Sequence, residues 1–444
     1  MSLDRGVRPS RVSNPFDGHT GRLCDIERAC RIMEERELDG LVLSMTPHVY
    51  YFSNYFAKSS TGLHDNAAVA MVVFARRAPE AAVLLIPDTD SATVVQRGTW
   101  IDDVRVFGGF IPPLGTPIDA ASFHRIVPEW VVERTSWGSA ARAGFTGDRT
   151  AMLHRAMSDL GLSKGARVGF DVIRSGTTAP VGVQIVDGFG AVRKIRETKT
   201  PSEIALLRAS ARINELALQM AIDAWVPGMT WNELCHEYDV AAVRHGGFPH
   251  DPGGVAVANP PGKDPAWYID PRGPDHVLEP GTNVMFDCHG TFERYAWDGG
   301  KTWFVGDEPS NPLMQKVASV TEEALYAVYE ALRPGVPVSI LQQVGLEPFR
   351  SAGLPHADHV NIFFHNLGLD HIDREEGYTP QPALPGGPAD FTFEESSVAT
   401  IHLVYPGSDR ERYYLEDCFL TASDHVEKLF TWDARPHSRS ETSC

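Results

Sequence analysis

Within the stretch NVMFDCHGTFERYAWDGGKTWFVGD, residues 283–307, Asp287 and Asp298 each close a short run that alternates between apolar and polar residues. This alternation predicts two β-strands. A buried carboxylate without a partner is costly, so each aspartate needs a cation beside it, a shifted pKa or a bound metal ion. The residues on either side of the stretch favour the third of these explanations.

Apolar runs further along the chain carry other side chains that bind metal ions. HVNIFFHNLGLDHID contains His365, VATIHLVYPG contains His402, and RYYLEDCFLT contains Glu416. A single histidine on a strand is more often a hydrogen-bonded core residue than a ligand. Five strand-like segments that each deliver one such group are difficult to explain in that way, so the sequence predicts a shared metal site. Its predicted ligands are Asp287, Asp298, His365, His402 and Glu416.

Two long helices are predicted around these strands, each followed by a shorter one. Thr200 to Glu203 forms a capping box with proline at the first helical position, and Thr230 to Glu233 forms a second box. AWVPGMTWNEL (224–234) and ALRPGVPVSIL (331–341) share Ala, Pro, Gly and Leu at the same offsets. This similarity indicates an internal duplication around a pseudo-twofold axis; the alternative is that Pro-Gly is simply a common helix stop.

The first part of the chain is predicted to be a separate α/β domain. A helical pattern from about Leu23 to Arg36 precedes strand-like runs in LDGLVLS, AVAMVVFARRAPEAAVLLIP and ARVGFDV. The charged connector VRKIRETKTPSE follows, and we interpret it as the domain boundary. The predicted domains are therefore residues 1–190 and 191–444.

Composition limits the possible classes of protein. The chain has 444 residues, 43% of them apolar, which is enough for two hydrophobic cores. A net charge of −18 without a Lys/Arg run argues against nucleic acid or an anionic membrane as a partner. The longest apolar stretch, residues 67–75, is too short to cross a bilayer, and no apolar leader is recognised at the N-terminus, so a cytoplasmic protein is expected. The six cysteines lack CxxC spacing and indicate reduced thiols.

These residues and their spacing resemble the creatinase, aminopeptidase P and prolidase family. The resemblance rests on two Asp eleven residues apart, a His followed by Leu-Gly, two late metal positions, and the connector VRKIRETKTPSEIALLRAS. WDGGKTWFVGD occupies the place of that family's Asp-x-x-Arg-Thr segment, with Lys301 for Arg. The resemblance implies a pita-bread catalytic domain with a pseudo-twofold repeat, preceded by a smaller creatinase-type α/β domain. It also implies a homodimer and one or two divalent transition-metal ions (Fe, Mn or Zn).

Two positions depart from the pattern of the family's dinuclear peptidases. His402 replaces the first of their two late Glu ligands, and an imidazole offers one nitrogen to one metal, so a weakened second metal site is expected. His371 stands six positions after His365, where the dimethylsulfoniopropionate lyase branch has an aspartate base; the peptidases instead carry a substrate-facing His at the seventh position, which is Ile372 here. We therefore assign Asp370 and His371 as candidate catalytic residues. The alternative is that His371 is a loop residue packing against Asp370 or Asp373.

The residues predicted to face the substrate come from three separate parts of the chain. His289 follows Asp287 by two positions, so on a strand it points to the same side and is a candidate for an additional ligand or a substrate contact. The loop NPPGKDPAWYIDP (259–271) carries Trp267 and Tyr268, which suit an aromatic wall but also an ordinary surface connection. His64 is a candidate substrate residue supplied by the N-terminal domain across a dimer.

Three functions are compatible with this pattern. The family resemblance favours a hydrolase in which a metal-activated water attacks a C–N bond of an Xaa-Pro peptide or small amide. The changes at His402 and His371 favour a metal-dependent lyase with His371 as the general base. The third is a non-catalytic binding protein on the same scaffold. Hydrolysis of a small molecule or short peptide is the leading prediction.

Overall fold

The computed structural model describes residues 21–57, 67–108, 127–249, 255–259, 275–309, 311–377, 382–407 and 411–440. These residues form two compact units, one that ends at Arg196 and one that begins at Glu197. We call them the N-terminal unit and the C-terminal unit.

The N-terminal unit contains one mixed sheet within the described residues. Its strands are β1 (Gly40–Met45), β2 (Ala67–Ala75), β3 (Val83–Pro87), β4 (Asp103–Phe107), β5 (Arg167–Phe170) and β6 (Gln184–Asp187). Its helices are α1 (Ile26–Glu35), α2 (Thr46–Ser53), α3 (Ser91–Arg97), α4 (Glu129–Arg134), α5 (Gly138–Ala143), α6 (Arg149–Asp159) and α7 (Phe189–Arg196). The strand order is β4-β3-β2-β1-β5-β6, in which β2 runs antiparallel to both of its neighbours.

The local predictions for this unit are confirmed. The predicted first helix is α1, whose first turn is capped by the Asp25 side chain, which accepts a hydrogen bond from the Arg28 amide. The two strands predicted around a polar turn are β2 and β3, which pair antiparallel. Their apolar residues pack with α6 in a common core that includes Val73, Leu85 and Leu153.

The C-terminal unit contains a larger sheet with two pairs of helices packed against its strands. Its strands are β7 (Phe248–Pro249), β8 (Val255–Asn259), β9 (Asn283–Phe292), β10 (Tyr295–Phe304), β11 (Asn361–Asn366), β12 (Val398–Tyr405), β13 (Tyr413–Thr421) and β14 (Val426–Lys428). Its main helices are α8 (Pro201–Ala224), α9 (Trp231–Arg244), α10 (Pro312–Ala331) and α11 (Val338–Ser351). The strand order is β11-β12-β13-β10-β9-β7, while β14 pairs with β13 and β8 pairs with β9.

Both predicted capping boxes are present. The Thr200 hydroxyl accepts a hydrogen bond from the Glu203 amide, and the Glu203 carboxylate accepts one from the Thr200 amide. Thr230 and Glu233 make the same reciprocal pair at the start of α9. Each box satisfies amide groups that have no acceptor within the first turn of a helix, which fixes where α8 and α9 begin.

The order of elements repeats within the C-terminal unit. In each half a long helix leads through Pro-Gly to a shorter helix, and antiparallel strands follow. Gly228 and Gly335 lie at equivalent places and share a left-handed backbone, with φ of +96° and +83°. The repeated order extends beyond the Pro-Gly stop, which favours a duplication over a chance resemblance of two helix ends.

The long helices are amphipathic. Helix α10 buries Val317, Thr321, Leu325 and Val328, which recur at helical spacing, in the core that joins α10 and α11 to β11, β12 and β13. Lys316, on the opposite face, is exposed. Among the helices that the structure describes, none is both long and apolar enough to span a lipid bilayer.

Candidate metal centre

The register of the strands brings the predicted donors to one face of the C-terminal sheet. Asp298 on β10 lies directly opposite His289 on β9, and Gly300 lies opposite Glu416 on β13. Glu416 in turn lies opposite His402 on β12. Residues directly opposite each other in an antiparallel pair share a face, as do residues two positions apart on one strand. Asp298, Glu416 and His402 therefore project to the same side.

His365 completes the row from the neighbouring strand. It lies on β11 opposite Thr400, two positions from His402, and so shares the face of His402. The prediction that each Asp closes its apolar run was wrong, because Asp287 and Asp298 lie inside ten-residue strands. Strand β9 continues past Asp287 to the turn at residues 293–294, where both positions have positive φ, and β10 then runs from Tyr295 through Asp298 to Phe304.

Two glycines allow β10 to carry Asp298 between its neighbours. Gly299 has φ +147°, a backbone conformation that residues with a side chain rarely adopt. A Cβ atom on Gly300 would lie 2.3 Å from the carbonyl oxygen of Phe286 on β9. A side chain at either position would push the strands apart and move the adjacent Asp298.

Four side chains form a compact group of donors, which we call the four-donor group. One ligand atom from each of Asp298, His365, His402 and Glu416 lies within 4.8 Å of the others, and all four residues are buried. His402 Nε2 lies 3.0 Å from Glu416 Oε1 and 3.2 Å from His365 Nε2. His365 Nε2 lies 3.3 Å from Asp298 Oδ2. Two nitrogens and two oxygens thus converge on one point.

The donors of this group fit a metal ion. Among the described residues, three carboxylate oxygens of the centre lack a hydrogen bond of good geometry: both oxygens of Asp298 and Oε1 of Glu416. Imidazole nitrogens lie close to Asp298 Oδ2 and Glu416 Oε1. Buried acceptors in this state are costly unless a cation satisfies them. Burial alone would raise the pKa of Asp298, but the charges and contacts of His371 and His365 hold it well below its usual range. Two carboxylates with two imidazoles suit a divalent transition-metal ion.

Hydrogen bonds fix both imidazoles with Nε2 toward the other donors. The Tyr414 hydroxyl donates to Glu416 Oε2 at 2.8 Å and lies 3.0 Å from His402 Nδ1, so it accepts the Nδ1–H of that ring. His365 Nδ1 lies 3.2 Å from the carbonyl oxygen of Asn366, which accepts a hydrogen bond from the Nδ1–H group. Burial lowers the pKa of His402 well below its usual range, so the ring is neutral. Each Nε2 therefore presents a lone pair, as a metal ligand must.

A second group of possible donors lies beside the first. Ligand atoms of His289, Asp298 and His371 lie within 4.8 Å of one another, and His371 Nε2 is 2.8 Å from Asp298 Oδ2. The His371 ring also packs 4.9 Å from the His289 ring and 5.2 Å from the His365 ring, centroid to centroid. The structure thus places His371 against Asp298. The neighbouring Asp370 belongs to neither group of donors, and its carbonyl oxygen accepts the Gly368 amide.

Asp287 lies near these groups but belongs to neither of them among the described residues. Burial and the negative charge of Asp298 raise the pKa of Asp287 to about 6. The five predicted metal residues are therefore divided into four convergent donors and one half-buried neighbour. His64, Trp267 and Tyr268, predicted to contact substrate, lie outside the described residues.

A buried ion pair holds the loop that carries His371. Lys199 Nζ lies 3.1 Å from Asp373 Oδ2, and both side chains are fully buried. The Asp373 amide donates to the Asn366 carbonyl, which closes the loop. A Cβ atom on Gly368 would lie 1.9 Å from Asp373 Oδ2, so the glycine of the His-x-Leu-Gly segment leaves room for this pair. Sequence reasoning did not find the pair, because its members lie 174 residues apart.

Sequence reasoning also missed Tyr414 and Thr400. Tyr414 precedes Glu416 by two positions, and Thr400 precedes His402 by two, so each shares a face with a predicted ligand. The Thr400 hydroxyl lies 3.0 Å from His402 Nε2. The alternation of side chains along β12 and β13 could have identified both residues.

Comparisons with known proteins agree with this geometry. Residues 205–422 match metallopeptidase family M24, and residues 26–169 match the creatinase/prolidase N-terminal domain. An Xaa-Pro dipeptidase of Lactobacillus helveticus is 27% identical over 54% of this chain and 61% of its own length. The probable dipeptidase PepE of Mycobacterium tuberculosis is 28% identical over 42% of this chain and 47% of its own length. The chain thus spans less than two thirds of these relatives.

Solved structures share the fold over nearly the whole chain. The Xaa-Pro dipeptidase from Bacillus anthracis superposes with a TM-score of 0.63 at 17% identity, covering 93% of this chain and 98% of its own. Aminopeptidase P from E. coli gives a TM-score of 0.60 at 18% identity, covering 92% and 94%. At these identities the similarity establishes the architecture of both units.

Proposed function

Because the chain belongs to metallopeptidase family M24, with a creatinase-type N-terminal domain and a pita-bread C-terminal domain, we propose that it is a metal-dependent peptidase. The observation that carries the proposal is the four-donor group: Asp298, His365, His402 and Glu416 present converging, buried ligand atoms. The proposed ion is a divalent transition metal, iron, manganese or zinc.

The chain's own residues prepare the site for hydrolysis. When bound, a divalent ion would lower the pKa of a water so that it could lose a proton near neutral pH and attack a carbonyl carbon. Tyr414 holds His402 in the tautomer that exposes Nε2 and fixes the Glu416 carboxylate. Phe363 stacks on the His402 ring at 3.9 Å and prevents it from turning away. These contacts hold the side chains of His402 and Glu416 in position before substrate binds.

For the substrate we propose short peptides with proline after the scissile bond. Support comes from the relatives that are named Xaa-Pro dipeptidases and from the dipeptidase name of PepE. All of these relatives are peptidases, so none supports the lyase or the non-catalytic alternative.

The test is peptide hydrolysis by metal-loaded protein. Purified protein is loaded with Mn²⁺, Fe²⁺ or Zn²⁺ in turn and incubated with Xaa-Pro dipeptides, matched Xaa-Ala dipeptides and small amides, and the released amine is quantified. We expect release from Xaa-Pro peptides and a loss of at least about 100-fold in Glu416→Gln, together with loss of bound metal.

The matched control is Glu427→Gln. Glu427 lies on β14, the strand that pairs with β13, but is half-exposed and contacts Arg208. This variant should retain wild-type hydrolysis and metal content. Absence of hydrolysis with every metal, or full metal content and activity in Glu416→Gln, would contradict the proposal.

Two further expectations belong to this proposal. Members of the resembling family are usually dimers, so we propose a homodimer, which sedimentation velocity measures directly. A cytoplasmic location also stays a prediction, and fractionation of cells that express the native gene would test it.

A further inference from the structure

We propose that the C-terminal unit binds a free amino acid in a cavity on the face of its sheet that points away from the four-donor group. In this site Lys301 and His437 hold the carboxylate of the ligand, and Glu322 holds its ammonium group. The cavity measures about 720 Å³, within the range of about 300–1,000 Å³ that is typical of small-molecule sites. The proposal depends neither on the metal ion nor on the peptidase activity.

The strand register directs Lys301 away from the metal centre. Gly300 lies opposite Glu416 in the β10–β13 ladder, and Lys301 is the next residue of β10. Because successive side chains of a strand point to opposite faces, the Lys301 side chain points to the face opposite Glu416. Trp432 and His437 line the cavity beside Lys301. The sheet itself therefore separates this cavity from the metal centre.

Lys301 offers a buried ammonium group whose donors are not all used. Its side chain is 3% exposed, and Nζ donates to the Asp433 carbonyl oxygen at 2.7 Å. Nζ also lies 3.6 Å from Asp433 Oδ1, beyond hydrogen-bond range, and 5.4 Å from the centroid of the Trp432 ring. Burial lowers the pKa of Lys301 to about 8, so the group is still mostly protonated at neutral pH. An ammonium has three donors, so the described residues leave donors for a carboxylate.

His437 adds a buried nitrogen to the same cavity. The residue is 9% exposed, and its Nε2 has no hydrogen-bond partner among the described residues. Burial and the positive charge of Lys301 lower the pKa of His437 well below its usual range, so the imidazole is neutral. In the tautomer with the proton on Nε2 the ring can donate to a carboxylate. Such a bond would satisfy a buried nitrogen that is costly to leave without a partner.

Glu322 supplies a negative charge at the same cavity. It lies on α10 and is half-buried, and no hydrogen bond or ion pair joins its carboxylate to another described residue. Asp433, in contrast, pairs with Arg435, on which Glu322 exerts a smaller electrostatic effect. A carboxylate without an ion pair and a buried ammonium in one cavity favour a ligand with both charges, so a zwitterion fits better than a simple anion or cation.

The wall of the cavity is apolar and held in place. The Trp432 ring stacks on Phe430 with 4.0 Å between centroids, and Trp432 and Phe304 both line the cavity. The Glu215 carboxylate accepts hydrogen bonds from the Thr431 hydroxyl at 2.9 Å and from the Trp432 amide at 3.1 Å. Aromatic walls beside a few polar groups are typical of ligand sites. They favour an amino acid with an apolar side chain.

The test measures binding of free amino acids by isothermal titration calorimetry and does not use activity. Metal-loaded protein is titrated with L-leucine and L-phenylalanine. Each is compared with two analogues that lack one charge: 4-methylpentanoate and 3-methylbutylamine for leucine, and 3-phenylpropanoate and phenethylamine for phenylalanine. We expect one site per chain for at least one of the amino acids, and binding of its analogues that is weaker by more than about tenfold. Lys301→Met and Glu322→Gln should each weaken binding of the amino acid by more than about tenfold.

The matched controls are Lys316→Met and Glu323→Gln, which remove exposed charges of α10 outside the cavity and should bind like the wild type. Glu416→Gln should also retain binding, because the site lies on the other face of the sheet. Circular dichroism checks that each variant is folded; if Lys301→Met is not, Glu322→Gln still decides.

Three results would overturn the proposal. The first is absence of binding by both amino acids. The second is an analogue without the ammonium or the carboxylate that binds as tightly as its amino acid, or unchanged affinity in Glu322→Gln. The third is loss of binding in folded Glu416→Gln, which would place the amino acid at the metal centre.

Discussion

The buried pair of Lys199 and Asp373 gives the sharpest prediction about stability. Replacing Asp373 with Asn keeps the shape of the side chain but leaves the ammonium of Lys199 buried without its partner. At 3.1 Å the attraction is about 5 kcal/mol for an effective dielectric constant of about 20. Loss of one member of a buried pair typically costs about 3–5 kcal/mol. The nearby Glu203 still offsets part of the Lys199 charge in the variant, so we expect Asp373→Asn to lower the free energy of unfolding by the smaller value, about 3 kcal/mol.

The assay is urea unfolding followed by far-UV circular dichroism, with all proteins loaded with the same metal. Lys199→Met should cost a similar free energy of unfolding, since it leaves the Asp373 carboxylate without its cation. The double variant Lys199→Met/Asp373→Asn removes both charges of the pair, so it should be more stable than the sum of the single variants predicts, by about 2–3 kcal/mol.

The control is the exposed pair of Arg350 and Asp358, whose atoms lie 2.8 Å apart. Despite this shorter distance, Asp358→Asn should change the free energy of unfolding by less than about 1 kcal/mol, because solvent screens the charges. Equal costs for Asp373→Asn and Asp358→Asn, or strict additivity in the double variant, would refute the reasoning from burial.

Two other predictions follow from neighbours of this pair. Burial raises the pKa of Glu203 to about 7, above its unfolded value, so this carboxyl group should contribute a fall in stability on the order of 3 kcal/mol as pH rises from about 4.5 to about 7. In urea titrations across this range Glu203→Gln should reduce the fall seen in the wild type by that amount, whereas Glu233→Gln, the exposed equivalent in the second capping box, should leave it unchanged; equal falls in Glu203→Gln and the wild type would contradict the assignment. Gly368→Ala places a Cβ atom on the Asp373 carboxylate, so it should destabilise the protein by about 1–3 kcal/mol and lower its metal content, because the loop that moves carries His371, which contacts Asp298. Gly147→Ala, whose Cβ makes an ordinary contact at 3.7 Å, is its control, and equal metal content and unfolding midpoints in both variants would exclude this steric effect.

Local patterns predicted the fold well. The capping boxes at Thr200 and Thr230 and the strands that carry Asp298, His402 and Glu416 are short-range features, and the structure confirms them. The resemblance to the creatinase, aminopeptidase P and prolidase family is likewise confirmed by the matches to both domains. Period and spacing are enough to identify such features because they depend on neighbouring residues.

The details of the centre depend on distant contacts and could not be read in advance. That His371 meets Asp298 depends on a loop anchored by Lys199, 174 residues from its partner Asp373. The position of Asp287 beside the donor groups depends on how β9 and β10 continue past the site. Alternation assigns a side chain to a face, but it does not fix which atoms on that face converge.

The strand register also determines when this centre forms during folding. The donors of the four-donor group come from β10, β11, β12 and β13, and β10 meets β13 through residues such as Asp298 and Cys418 that lie 120 residues apart. Contacts of such long sequence separation form slowly, because the chain between them must be ordered first. A nascent chain therefore has no complete centre until β13 has emerged and paired.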